Sequence, residues 1–128
     1  MNYYISKMVD YDFDETIEKV TAELKAEGFG VLTEIDVKDT LKKKLDVDFK
    51  KYRILGACNP EFAHQALQYE DKIGTMLPCN VIVEEHDDGR VEITAVDPQA
   101  SMQAVDNDEL TDIAGQVAGR LKKIVNAV

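Results

Sequence analysis

The sequence predicts an α+β domain, an antiparallel sheet carrying its two main helices on one face. Three observations lead there. Segments with alternating apolar and polar residues gather in the middle of the chain, between residues 29 and 96. The two strongest helical periodicities stand toward the ends, over residues 14–27 and in the last 20 or so residues. Strands gathered between terminal helices pack most naturally as an antiparallel sheet carrying the main helices on one face.

The elements follow in order. Residues 2–9, rich in Tyr, Ile and Val, read as a first strand. Asp12 and Asp14 can cap a helix over 14–27, where Ile17, Val20 and Leu24 recur at helical spacing and Gly28 closes the segment. Residues 29–37 alternate, with Phe29, Val31, Ile35 and Val37 expected on one buried face. Residues 38–45 suit a short exposed helix anchored by Leu41 and Leu45. A third strand over 51–58 places Tyr52, Ile54, Gly56 and Cys58 on one face. Asn59-Pro60 then opens a short helix ending near Glu70, because Asn caps and Pro suits the first helical position.

Residues 76–96 form a hairpin. A two-residue Asp88-Gly89 turn sets Val83 opposite Thr94, whereas a three-residue Asp87-Asp88-Gly89 loop sets Val83 opposite Ile93 and Val81 opposite Ala95. The second register unites the apolar positions and gives Gly89 the left-handed conformation. It also faces Glu84 with Glu92, so the outer face is expected to be well solvated. Asp106 and Glu109 have capping-box spacing ahead of the last helix. Leu110, Ile113, Val117, Leu121 and Ile124 line its apolar stripe, and Arg120, Lys122 and Lys123 suit its C-terminal dipole.

Composition bounds the function classes. The chain has 128 residues, a formal net charge of −10, 45% hydrophobic residues and no Trp. That is one domain, 1–128, with enough apolar content for a core. The acidic balance disfavours nucleic-acid partners, and no apolar run is long enough to span a membrane. Met1–Lys7 lacks the basic and apolar regions of a secretory signal, so a cytoplasmic location is expected, with Cys58 and Cys79 reduced. There is no Walker loop, G-x-G-x-x-G, G-x-S-x-G or H-E-x-x-H motif.

Several segments together are more specific: Ile54-Leu55-Gly56-Ala57-Cys58-Asn59-Pro60 with Ala63-His64-Gln65-Ala66-Leu67, Gly74-Thr75-Met76-Leu77-Pro78-Cys79-Asn80-Val81, Thr33-Glu34-Ile35-Asp36-Val37 and Ala95-Val96-Asp97-Pro98. From about residue 10 to 125 the chain resembles the bacterial and archaeal family catalogued as domain of unknown function 302. The resemblance implies a β-α-β(4)-α unit similar to half of a TATA-box-binding protein, and a homodimer. It implies no activity and no catalytic residue, and a shared fold does not transfer function.

Candidate site residues cluster where strand ends meet a helix start: Cys58, Asn59, His64, Cys79, Asn80 and Asp97. Cys58 precedes a helix N-terminus, which favours thiolate, and with His64 and Cys79 it offers a three-ligand set for a soft metal. Against this, free Cys commonly fills core space, and Asn59 and Asp97 suit capping and turns. The leading expectation is a non-catalytic binding domain for a small molecule, metal ion or protein. The alternative is a thiol-dependent redox or metal-handling protein using Cys58, His64 and Cys79.

Overall fold

The computed structural model describes residues 2–128. Five strands, β1 (Tyr4–Val9), β2 (Gly30–Asp36), β3 (Tyr52–Cys58), β4 (Cys79–Glu85) and β5 (Val91–Val96), form one antiparallel sheet in the order β1-β5-β4-β3-β2. Helix α1 (Phe13–Ala26) follows β1, and α5 (Asp108–Ala127) ends the chain. Between them lie α2 (Val37–Leu45), α3 (Pro60–Tyr69), a 3-10 helix (Asp71–Met76) and a short α4 (Pro98–Ser101). The β-α-β(4)-α order is therefore present, with the shorter helices as connections.

Alternation sorts the sheet into two unlike faces. Leu55, Ala57, Val81, Val83, Val91, Ile93 and Ala95 are buried in one core with Val20 and Leu24 of α1 and Leu110, Leu121 and Ile124 of α5. The large apolar side chains on that face make the hydrophobic term, about 1.5–3 kcal/mol for each fully buried aliphatic, the main support of the two-layer packing. The intervening residues face the other way, away from α1 and α5. The hairpin has the expected register, with Val83 opposite Ile93 and Val81 opposite Ala95. Gly89 takes φ +87° at its tip.

Three local expectations are corrected. A register shift between Val31 and Thr33 interrupts β2, so its alternation inverts. Phe29 is buried, but Ile35 lies 47% exposed on the opposite face, and Val37 already belongs to α2. Glu34 and Asp36 take the inner positions instead, where the Arg53 guanidinium meets them at 2.6 and 3.5 Å. A bulge of this kind leaves no trace in a simple count of apolar positions.

The second correction concerns the cap of α5, which is Asn107 rather than Asp106. Its side chain accepts from Glu109 N at 3.1 Å, while its Nδ2 donates to Tyr69 O at 3.0 Å and ties the end of α3 to the start of α5. Third, the outer face around Glu84 and Glu92 is not well solvated: their side chains are 13% and 24% exposed.

Candidate functional site

The strand-end residues are placed by ordinary helix-start chemistry. Asn59 is buried, accepts from Phe62 N at 3.4 Å as the N-cap of α3, and donates to Glu27 O at 3.5 Å. Asp97 caps α4 by accepting from Gln99 N at 3.0 Å. His64 is exposed on α3 and contacts Gln68 Nε2 at 3.2 Å, one turn along.

The two thiols are free. The register partner of Cys79 is Ala57, not Cys58, yet both cysteines line one apolar cavity at the sheet end. Cys79 is buried and its thiol is pushed up to about 11, chiefly by burial and secondarily by Cys58. Such a thiol supplies almost no thiolate at neutral pH. Cys58, His64 and Cys79 do not bring their donor atoms together: among the described residues, the group of His, Cys, Asp or Glu that meets within 4.8 Å is Glu84, His86 and Glu92. That cavity, between the sheet end, α3 and α5, has a volume of about 30 Å³ and is lined by Cys58, Asn59, Cys79, Phe62, Ile113 and Val117 among others. That is space for a water or two rather than an organic ligand, and its walls are apolar.

The uncovered face of the sheet is different. A groove of about 490 Å³ runs over it, lined by Tyr3, Tyr4, Tyr52, Asn80, Ile82, Glu84, Glu92, Thr94 and Val96. Every lining residue from Tyr4 onward is an even-numbered member of β1, β3, β4 or β5, the set that alternation turns away from the helices. Tyr3 and Tyr4 meet edge to face with ring centroids 5.1 Å apart.

Charges are arranged at one end. Glu84 and Glu92 are direct cross-strand partners. Lys50 Nζ lies 2.6 Å from Glu84 Oε1 and 5.9 Å from the centre of the Tyr52 ring. His86 Nε2 lies 2.9 Å from Glu92 Oε1. The hydrogen bond to Glu84 holds the Lys50 ammonium above its ordinary range, against the opposing effect of burial. Burial, then the nearby Glu84 carboxylate, raises the Tyr52 phenol.

Of the six residues singled out in the sequence, Cys58, Asn59 and Cys79 line the small apolar cavity, Asn80 lines this groove, and Cys79 and Asn80 line a smaller neighbour of about 280 Å³ with Met76, Pro78 and Met102. The tyrosines and the Glu84–His86–Glu92 group were missed as a site. Their signal was present: once the hairpin register is set, the even positions of β4 and β5 share a face, and Glu84 must oppose Glu92.

A one-sided antiparallel sheet backed by helices, with a tyrosine-lined groove on its bare face, defines an open-faced α+β domain. The chain belongs to the family described as domain of unknown function DUF302, whose model matches residues 5–128. It is also similar to the crystal structure of an uncharacterised conserved DUF302 protein from Bacillus stearothermophilus, at 30% identity and a TM-score of 0.92 over 98% of each chain. No curated protein matches it. No helix among the described residues is long and apolar enough to cross a membrane.

Proposed function

We propose that this protein is a non-catalytic binding domain whose recognition surface is the uncovered face of the sheet, where a small organic molecule occupies the groove framed by Tyr3, Tyr4 and Tyr52. The observation that carries the reading is the pairing of a groove of about 490 Å³ with three tyrosines on the face turned away from α1 and α5. Ligand sites are concave, largely apolar and aromatic, with a few polar groups to orient the guest. The groove joins Tyr3, Tyr4, Tyr52, Ile82 and Val96 to a nearly equal polar share from Asn80, Thr94, Glu84 and Glu92. The buried, weakly acidic Cys79 favours this reading over thiol chemistry.

The test is two-dimensional NMR of labelled protein against fragment-sized aromatic amides. Shifts concentrated on Tyr4, Tyr52, Ile82 and Thr94, and lost in Tyr52→Ala, are expected. Shifts concentrated on Cys58–His64 would move the site back to the strand ends.

The same reading includes pairing of two copies in a reducing, cytoplasmic setting. β2 is an edge strand with free ladder groups. Around it, Leu32, Ile35, Leu45, Val47 and Phe49 are exposed apolar residues. A second β2 laid antiparallel against the first covers both. Sedimentation should give twice 14.4 kDa, falling to 14.4 kDa in Leu32→Asp. A wild-type monomer would remove the pairing without touching the groove.

A further inference from the structure

We propose that Glu84, His86 and Glu92 bind a single transition-metal dication of the zinc type at one end of the groove. One imidazole nitrogen and one carboxylate oxygen from each of two glutamates lie within 4.8 Å of one another, and all three side chains are half-buried. The donor set selects the metal class. Ca²⁺ and Mg²⁺ prefer all-oxygen shells, whereas imidazole with carboxylates suits zinc and its neighbours.

The scaffold makes the cluster more than a collection of surface acids. Glu84 and Glu92 occupy facing positions of the β4–β5 ladder, and His86 follows two residues after Glu84 at the hairpin end, where its backbone N–H donates to Arg90 O at 2.8 Å. Like charges placed opposite one another repel, and here both carboxylates are mostly withdrawn from water. A bound cation removes that repulsion. In its place, Lys50 neutralises Glu84 and the imidazole contacts Glu92. Lys50 is a long side chain on the loop preceding β3, so it can swing away and leave Glu84 to the metal. The ammonium is therefore a competitor for the site, a role that a purely structural salt bridge does not have.

Three protein donors leave coordination positions free, as in exchangeable zinc sites. Glu84 and Glu92 also line the groove, so a free position is within reach of a guest molecule there. The class of guest follows: a small molecule with an aromatic body for the tyrosines and an oxygen or nitrogen donor for the metal. This last step rests on the groove reading above; metal uptake does not.

The experiment is a calorimetric titration of chelator-treated protein with ZnCl₂ in a non-coordinating buffer, with circular dichroism to check that each variant is folded. One saturable zinc per chain is expected. His86→Gln and Glu92→Gln should each weaken binding about tenfold or more. Lys50→Met should bind as tightly or more tightly, and Cys58→Ser should match wild type. Absence of saturable uptake, unchanged affinity in His86→Gln or Glu92→Gln, weakening in Lys50→Met, or loss of uptake in Cys58→Ser would each overturn the proposal. Zinc-free aromatic fragments tested by NMR separate the two readings: fragment shifts without zinc uptake remove the metal and keep the groove.

Discussion

If Cys79 is a core residue, its ionisation must oppose folding. Its folded pKa is raised to about 11 from an ordinary thiol value of 9.0, mainly by burial. A raised folded pKa means the native state holds the proton more tightly than the unfolded chain. The stabilisation is complete below pH 9 and is lost as pH rises between 9 and 11. At pH 10 the unfolded thiol is about nine-tenths ionised and the folded one about one-tenth, a loss of about 1.4 kcal/mol from this group alone. Tyr52, Lys43 and Lys50 also carry raised values, so the wild-type profile mixes several titrations. Cys79→Ala isolates the thiol. Denaturant unfolding of both proteins at pH 7 and pH 10 should show the wild type losing roughly 1–2 kcal/mol more than the variant. Parallel thiol labelling at pH 7 should modify Cys58 quickly and Cys79 only on unfolding. Equal pH dependence in the two proteins, or rapid native labelling of Cys79, would refute the burial argument and restore thiol chemistry as the leading reading.

Gly56→Ala should cost about 1–3 kcal/mol, read as a fall in thermal midpoint. An added Cβ would stand 2.1 Å from Thr33 Oγ1 and 2.9 Å from Pro78 Cγ, and the rigid Pro78 ring cannot rotate away. Gly119→Ala should do the opposite. It sits exposed in α5 with nothing within 4 Å of a new Cβ, so helix propensity alone adds about 0.5–1 kcal/mol. Asn59→Ala should cost about 1 kcal/mol in chemical denaturation, because it removes the α3 cap and the bond to Glu27 O together. A neutral Asn59→Ala would show that the other backbone groups at this helix start satisfy it unaided.

Much of the architecture was legible because the strongest patterns are periodic. The stripe of α5 and the paired odd positions of β4 and β5 each require one arrangement to bury their apolar side chains, and the hairpin register followed from that requirement. What escaped were features set by single residues against their neighbours. The β2 bulge inverts a strand whose apolar spacing looks regular, because Glu34 and Asp36 gain Arg53 as a partner on the inner side. The cap of α5 moved by one residue because Asn107 can serve both its own helix and Tyr69 O.

The site illustrates the same division more sharply. Cys58, Asn59, Cys79 and Asp97 drew notice because they stand beside prolines and helix starts, and that neighbourhood is where backbone chemistry needs such residues. Asn59 and Asp97 are spent on capping, and Cys79 on filling space. The groove, in contrast, is assembled from residues far apart in the chain: Tyr3 and Tyr4, Tyr52, and the hairpin. None of them is unusual alone. They become a site only because all the main helices sit on one side of the sheet and leave the even positions bare. In a chain of this size a core needs one sheet face, and the two main helices suffice to cover it. The second face is free of that duty, and it carries three tyrosines and two mostly buried carboxylates that face each other across the β4–β5 ladder. A face that only had to meet water would favour charged, well-solvated residues there. The occupant proposed above would give those side chains a role that folding does not require of them.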